Sequence, residues 1–389
     1  MAEVEQFVHN GIGVVRQSSP PPMGPLGKIV LGIVGTAPDA NPLLPKNSPI
    51  RISNAAHTAS LDMKGDERGT LWRVCSEIQK LIKVVIYVII VDEGEDATTT
   101  NNNVIGKIVP ETGQRTGIRA LADCNEIPTH IASCGFTQKE VIDALVAQGK
   151  RMFAIPVADC TNTSDNAAIE FSKSVGGAGT GYDALYCVDP FCSVYSQKAK
   201  GYVYMSAAAQ ALSCFARVSQ WESPAKGGMG VMIGGTSRTI DYNIMDNTTN
   251  GDLLNKHGIS YFARTSLGGY SLIGNRSITG RFISQVGLEY AIIRKLAATS
   301  QGDMAHNLTK SFMEQKIRRL NVWLKSLQAD ETVMGAQVYL HPTKNNVETY
   351  TNGEWHIAIK YAAFSPNEHM VYHLIEDQGI VAAFLEEIL

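Results

Sequence analysis

The run Lys83 to Val91, K-V-V-I-Y-V-I-I-V, restricts the fold more than any other stretch. It is apolar at both alternating sets of positions. As a strand it needs cover on two faces, which places it inside a sheet with helices on both sides. Its apolar part, Val84 to Val91, is strand-sized and far short of a membrane span. The preceding segment, Gly69 to Ile82, carries Leu71, Val74, Ile78 and Leu81 at spacings of three and four. That spacing predicts a helix with one apolar face. A helix feeding such a strand is part of a parallel α/β unit.

The same alternation surrounds it. Lys28 to Gly35 and Ile50 to Ile52 read as strands ahead of it, and Glu93 to Asn103 as an exposed polar loop after it. Then come a short helix (Thr116 to Cys124), a strand (Thr129 to Cys134) and a helix from Thr137 to Gln148, with Thr137 as cap and Glu140 at the capping-box position. Met152 to Val157 is a strand, Ser164 to Val175 a helix, Ala184 to Val188 a strand, and Gly201 to Trp221 a long helix of small residues. Strands alternating with helices imply a mostly parallel sheet covered on both faces. Further on, Arg281 to Thr299 and His306 to Gln328 are helical by periodicity. Gly335 to His341 and Glu354 to Tyr361 read as paired strands, and His369 to Ile375 as one more. The 389 residues suffice for two or three domains, and 44% hydrophobic with 18% charged content describes a folded chain. The net charge of −3 provides no basic balance for nucleic acid. The N-terminus has neither the basic nor the apolar region of a signal peptide, so synthesis and folding in cytosol are expected.

Between these blocks lies Gly251 to Gly280. Leu253-Leu254-Asn255 ends a helix stopped by Gly258, and Ile259 to Thr265 reads as a strand. Leu267-Gly268-Gly269-Tyr270 is a tight turn, because adjacent glycines admit positive φ at little steric cost. Tyr270 to Ile273 returns, and Gly274-Asn275-Arg276-Ser277 turns again. The Arg276 fork, with five donors, suits tying that turn to neighbouring carbonyls or a carboxylate. This pattern, L-L-N then G-Y-x-L-x-G-N-R-[ST], resembles the C-terminal domain of contractile tail sheath proteins, found in contractile-tailed phages and R-type pyocins. Trp221-Glu222-Ser223-Pro224, Lys226 and Gly234-Gly235-Thr236-Ser237-Arg238 resemble that family's W-x-S-P segment and the glycine-rich lead-in to the same domain. A weaker likeness covers most of the remaining chain.

The resemblance implies an α/β and α+β multi-domain protein: an outer α/β part with a mostly parallel sheet, an inner α+β C-terminal domain, and extended arms at both ends. The corresponding divisions are an arm and proline linker at 1–22, outer domain or domains at 23–235, an inner domain at 236–376 and an arm at 377–389. Phe7, Val8, Ile12, Val14 and Val15, ahead of Ser18-Ser19-Pro20-Pro21-Pro22, would form a strand donated to a neighbouring subunit. Ile380, Val381, Phe384 and Leu385 are the apolar residues of the other arm. Lys310, Arg318 and Lys325 form a basic stripe on one helix, a candidate surface toward the tail tube. The implied function is structural. Six-fold rings stack helically around a tube in a metastable extended state, and contraction drives the tube through an envelope. Implied partners are the chain itself, the tube protein, and baseplate and tail terminator proteins, with no nucleic acid and no membrane insertion. The implied location is the virion, after assembly in host cytoplasm.

Chemistry-bearing patterns weigh less. Gly176 to Gly181 lacks the Gly-Lys-Ser/Thr end of a phosphate loop, and it follows a helix instead of a strand. Gly235-Thr236-Ser237 matches part of a subtilisin-like serine motif, yet no histidine and aspartate motifs accompany it. An α/β hydrolase-like enzyme using Ser237 or a cysteine is the alternative, and a tail-tip or receptor-binding component a third reading. His369 and His373 are too far apart along a strand to chelate one ion, with His341 and His356 distant in sequence. No catalytic residue, metal site or cofactor is expected. None of the seven cysteines forms a C-x-x-C pair. Cys75 and Cys214, within predicted helices, read as buried thiols. Cys124, Cys134, Cys160, Cys187 and Cys192 fall in or beside loops and strand ends in the part the resemblance makes the outside of a sheath. These are candidates for disulfides formed between subunits once a particle leaves reducing cytosol.

Overall fold

A computed structural model of the chain describes residues 23–388. It separates into two compact units, one holding Ala297–Phe364 and the other Gly27–Leu296 with the chain from Ser365 onward.

The larger unit is built on strands β1 (Val30–Thr36), β2 (Pro49–Ile52), β3 (Val85–Val91), β4 (His130–Ala132), β5 (Ile155–Asp159), β6 (Tyr186–Val188), β10 (Ile259–Arg264) and β11 (Tyr270–Ile273). Their order across the sheet is β11-β10-β6-β5-β4-β1-β3-β2. The six inner strands are parallel, and β2 and β11 run antiparallel at the edges. In β3 the two-sided apolar pattern does what it requires. Ile86, Val88 and Ile90 enter one core with Val74 and Ile78 of the helix Leu71–Leu81 and Leu212 of the helix Ala207–Ala216. Tyr87, Ile89 and Val91 enter the other core with Val141 and Leu145 of the helix Lys139–Met152 and Ile169 of the helix Asp165–Val175. Each fully buried branched side chain contributes about 2 kcal/mol relative to exposure. A separate three-stranded sheet has the order β8-β7-β9, with β7 at Cys192–Ser196, β8 at Gly201–Met205 and β9 at Gly235–Thr236.

Local chemistry overrides the sequence reading in several places. The stretch from Gly201 divides into strand and helix, because Gly201–Met205 pairs with β7 and Ser206 then caps the helix Ala207–Ala216 by accepting from the Ala209 amide. The polar loop after β3 contains the helix Ala97–Ile105. Its cap is Asp96, which accepts from the Thr99 amide at 2.6 Å, and Val104 is buried. The helix expected from Thr137 starts at Lys139 after Gln138, with no side-chain cap.

In the smaller unit the helix Lys310–Ala329 packs on a two-stranded antiparallel sheet of β12 (Gly335–Leu340) and β13 (Ile357–Ala362). Leu320, Trp323, Leu324 and Leu327 of the helix are buried, as are Val333 and Val338. Among the described residues both strands of this sheet are edges. Residues 363–377 have no regular secondary structure, so the strand read at His369 to Ile375 is absent: its backbone has no partner strand in a single chain. Met370, Val371, Tyr372, Leu374 and Ile375 are exposed. The C-terminal arm is not extended but helical over Gln378–Ile388, with no buried residue.

Candidate functional site

The hairpin forms as its glycines dictate. Gly268 and Gly269 take φ of 82° and 76°, and β10 pairs with β11 from Tyr261↔Ile273 to Arg264↔Tyr270. Leu254 is buried in the core, Leu253 is largely exposed, and Asn255 lines a hollow of about 380 Å³ together with Gly274, Asn275, Arg276 and Glu368. Tyr270 extends the pairing by an isolated bridge to Val231. Gly274 sits at φ 137°, and a Cβ there would lie 2.2 Å from Ser260 Oγ. Only glycine fits that corner.

The corner aims the next two side chains. Asn275 Oδ1 accepts a hydrogen bond from Ser223 Oγ, and the Asn275 carbonyl accepts from the Ile283 amide at 2.9 Å. The W-x-S-P and G-N-R segments therefore meet in space. Ser223 also caps the short helix Pro224–Gly227, and Glu222 pairs with Lys226 at 2.5 Å. Arg276 uses three donors of its fork on two partners. Nη1 donates to the Gly280 carbonyl at 2.8 Å, while Nε and Nη2 donate to Glu368 Oε2 at 3.0 and 2.7 Å. The guanidinium lies 4.0 Å from the centroid of the Phe282 ring. Nothing in the local sequence points to Glu368, which is 92 residues away.

A second arginine, in the glycine-rich segment, is held more deeply. Arg238 Nε donates to Asp165 Oδ1 at 2.7 Å and Nη2 to Asp189 Oδ2. Burial pushes the Asp189 carboxyl above the usual range, and Arg238 draws it back only in part. Asp189 Oδ1 accepts from the Asn162 amide at 2.7 Å, and Asp165 Oδ2 accepts from Asn250 Nδ2 at 2.9 Å. Ser237 Oγ donates to Asn162 Oδ1 at 2.7 Å. An amide oxygen is no general base, so this serine has none of the activation that nucleophilic catalysis needs. Sequence reasoning missed the acidic and amide partners because they come from the segment after β5, the end of β6 and the start of the helix Asn250–Lys256, which only the fold brings together.

All seven cysteines are buried and free in the single chain, among them the disulfide candidates Cys124, Cys134, Cys160, Cys187 and Cys192. The ends of β4, β5, β6 and β7 that carry four of them lie inside the packed layers of the chain. Burial pushes the thiols of Cys75, Cys124, Cys160 and Cys214 up to about 12, and those of Cys134, Cys187 and Cys192 well above their ordinary value. Such thiols are poor nucleophiles as well as poor cross-linkers. The N-terminal arm residues Phe7, Val8, Ile12, Val14 and Val15 lie outside the described residues. Ile380, Val381, Phe384 and Leu385 are exposed on the terminal helix. Lys310, Arg318 and Lys325 are exposed, and Glu314 sits 4.0 Å from Lys310 and 3.6 Å from Arg318, interrupting the basic stripe. Among the described residues no helix is long and apolar enough to cross a membrane, and no group of three metal-ligating side chains occurs.

No family model matches the chain. It is 25% identical over 361 residues to a prophage major tail sheath protein of Pseudomonas aeruginosa (strain UCBPP-PA14), covering 88% of this chain and 89% of that one. It is also 25% identical over 362 residues to the tail sheath protein of Escherichia phage P2, covering 88% of each. Among solved structures it resembles the sheath complex of an extracellular contractile injection system, PVC, in the contracted state, with a TM-score of 0.69 at 14% identity over 97% of this chain and 100% of that one. The helical sheath of the anti-feeding prophage in the contracted state gives the same TM-score and identity over 95% and 100%. Its baseplate gives a TM-score of 0.68 at 14% identity over 95% and 99%. In sequence over most of its length and in fold over nearly all of it, the chain is similar to contractile tail sheath proteins, which are structural proteins and not enzymes.

Proposed function

We propose that this protein is the sheath of a contractile tail. The observation that carries the reading is 25% identity to two tail sheath proteins across 88% of the chain, with a fold shared with injection-system sheaths. Subunits form hexameric rings stacked helically around a tube, assembled in an extended state that is metastable. Contraction is a change between two packings of one subunit, and the free-energy difference between them drives the tube through the host envelope. The protein acts as a spring, built in host cytoplasm and carried on the virion. Its partners are other copies of itself, the tail tube protein, and baseplate and tail terminator proteins. The stripe of Lys310, Arg318 and Lys325 faces the tube in this reading.

Arms keep the rings connected. Phe7, Val8, Ile12, Val14 and Val15 supply one strand. The unpaired segment around Met370 to Ile375, followed by the exposed helix with Ile380, Val381, Phe384 and Leu385, supplies the other arm. Strand addition by a neighbouring subunit explains why a segment with strand-like alternation runs without regular structure here. A donated strand of about five residues makes roughly five backbone hydrogen bonds, each about 1 kcal/mol net. Negative-stain electron microscopy of the purified protein tests the reading. Long hollow tubes or stacked rings are expected; discrete monomers with hydrolase activity would overturn it.

A further inference from the structure

Near its C-terminus the chain passes from held to exposed over very few residues. Ser365 Oγ accepts a hydrogen bond from Gln285 Nε2 at 3.2 Å, and Glu368 is gripped by Arg276. From His369 on, every described residue is exposed. The grip itself stands on a rigid base. Arg276 is bridged to Phe282 through the backbone, and the Ser277 amide donates to the Arg281 carbonyl at 2.8 Å. The Ile283 amide holds Asn275, and the Phe282 ring lies under the guanidinium at 4.0 Å. A charge-assisted fork locked by stacking holds both position and angle, which a lysine would not.

We propose that the Arg276–Glu368 pair is the anchor of the C-terminal arm. It sets the point at which the chain stops belonging to its own subunit and becomes available to a second copy. The G-N-R turn then has an assembly role: it aims the arm. This rests on the sheath reading for what the arm reaches, but the anchoring is a property of the single chain. An anchored arm samples a narrow cone of directions, so the residues beyond it meet a neighbour more often than those of an arm released further upstream would.

Glu368→Gln tests this, because it removes the charge at a half-exposed position and leaves the packed core untouched. Two readouts separate the two ideas. Hydrogen–deuterium exchange on the unassembled protein should show residues 366–370 opening at least about threefold faster in the variant, with an unchanged melting temperature. Tube formation followed by light scattering should slow by a similar factor, and Arg276→Lys should fall between parent and Glu368→Gln. Unchanged exchange in Glu368→Gln would overturn the anchor. Faster exchange with tube formation at the parent rate would overturn its role in aiming the arm. If the parent protein forms no tubes at all, the sheath reading fails, and the exchange arm still decides the anchor.

Discussion

Arg238 and Arg276 each follow a glycine-bearing segment and each grips acidic partners from distant parts of the chain, Arg238 two carboxylates and Arg276 one, yet they do different work. Arg238 is four-fifths covered and joins Asp165 to the almost fully buried Asp189, tying two helix starts to the end of β6. Arg276 and Glu368 are 40% and 30% exposed, and from His369 on every described residue is exposed. The deep pair holds the fold; the shallow pair holds a boundary. Energies follow burial, because an uncompensated charge in the interior costs far more than one that water can reach.

The sharpest contrast between interior and tail is chemical. The seven native thiols should resist a thiol reagent near neutral pH, whereas a cysteine introduced by Leu374→Cys, at a position 95% exposed, should react at once. A shift of a thiol from 9.0 to about 12 leaves roughly a thousandfold less thiolate. Reagent titration with and without denaturant measures this, and rapid native labelling of several cysteines would break the contrast.

Removing the deep grip should come next. Arg238→Ala leaves Asp189 buried and uncompensated, with an expected loss of about 3 kcal/mol in urea unfolding. The loss should be pH-dependent. The Asp189 carboxyl, already raised in the folded protein, rises further without Arg238. A raised carboxylate costs stability in full above its folded value, and the cost fades as pH falls toward its unfolded value. The deficit should therefore shrink as pH is lowered from about 7 toward about 4. A loss that is constant with pH would mean the arginine acts by packing alone.

Gly274→Ala probes the corner between the two grips. At φ 137° with Ser260 in the way, the added methyl should cost about 2 kcal/mol by thermal unfolding. A cost near zero would show that the corner relaxes. Arg276→Ala should cost less, about 0.5–1 kcal/mol, because its partner is solvent-accessible. A loss as large as that of Arg238→Ala would erase the distinction. Smallest of all in stability should be deletion of residues 369–389, within about 0.5 kcal/mol of the parent, since nothing described there is buried. The same truncation should abolish tubes in electron micrographs; normal tubes would sink the arm.

Much of the fold was legible because periodicity reports burial directly. The two-sided apolar β3 required a covered sheet, and the double glycine required the hairpin turn. Reading failed where local chemistry was overruled or unseen. Gly201 to Met205 looked like the start of a helix until β7 supplied a partner. The Asp96 cap turned an apparent polar loop into a helix. Cysteines beside predicted loops looked accessible, and only the layers packed over the strand ends show that they are not.

What the sequence determined by itself was the layered α/β design, the hairpin and the likeness to a sheath, since all rest on short-range pattern. Tertiary structure decided the partners. Glu368 reaches Arg276 across 92 positions, Arg238 reaches Asp165 across 73, and Ser223 reaches Asn275 across 52. No periodicity encodes such pairs. They depend on which loops the sheet order brings to one end, and that order follows from burying two apolar faces at once.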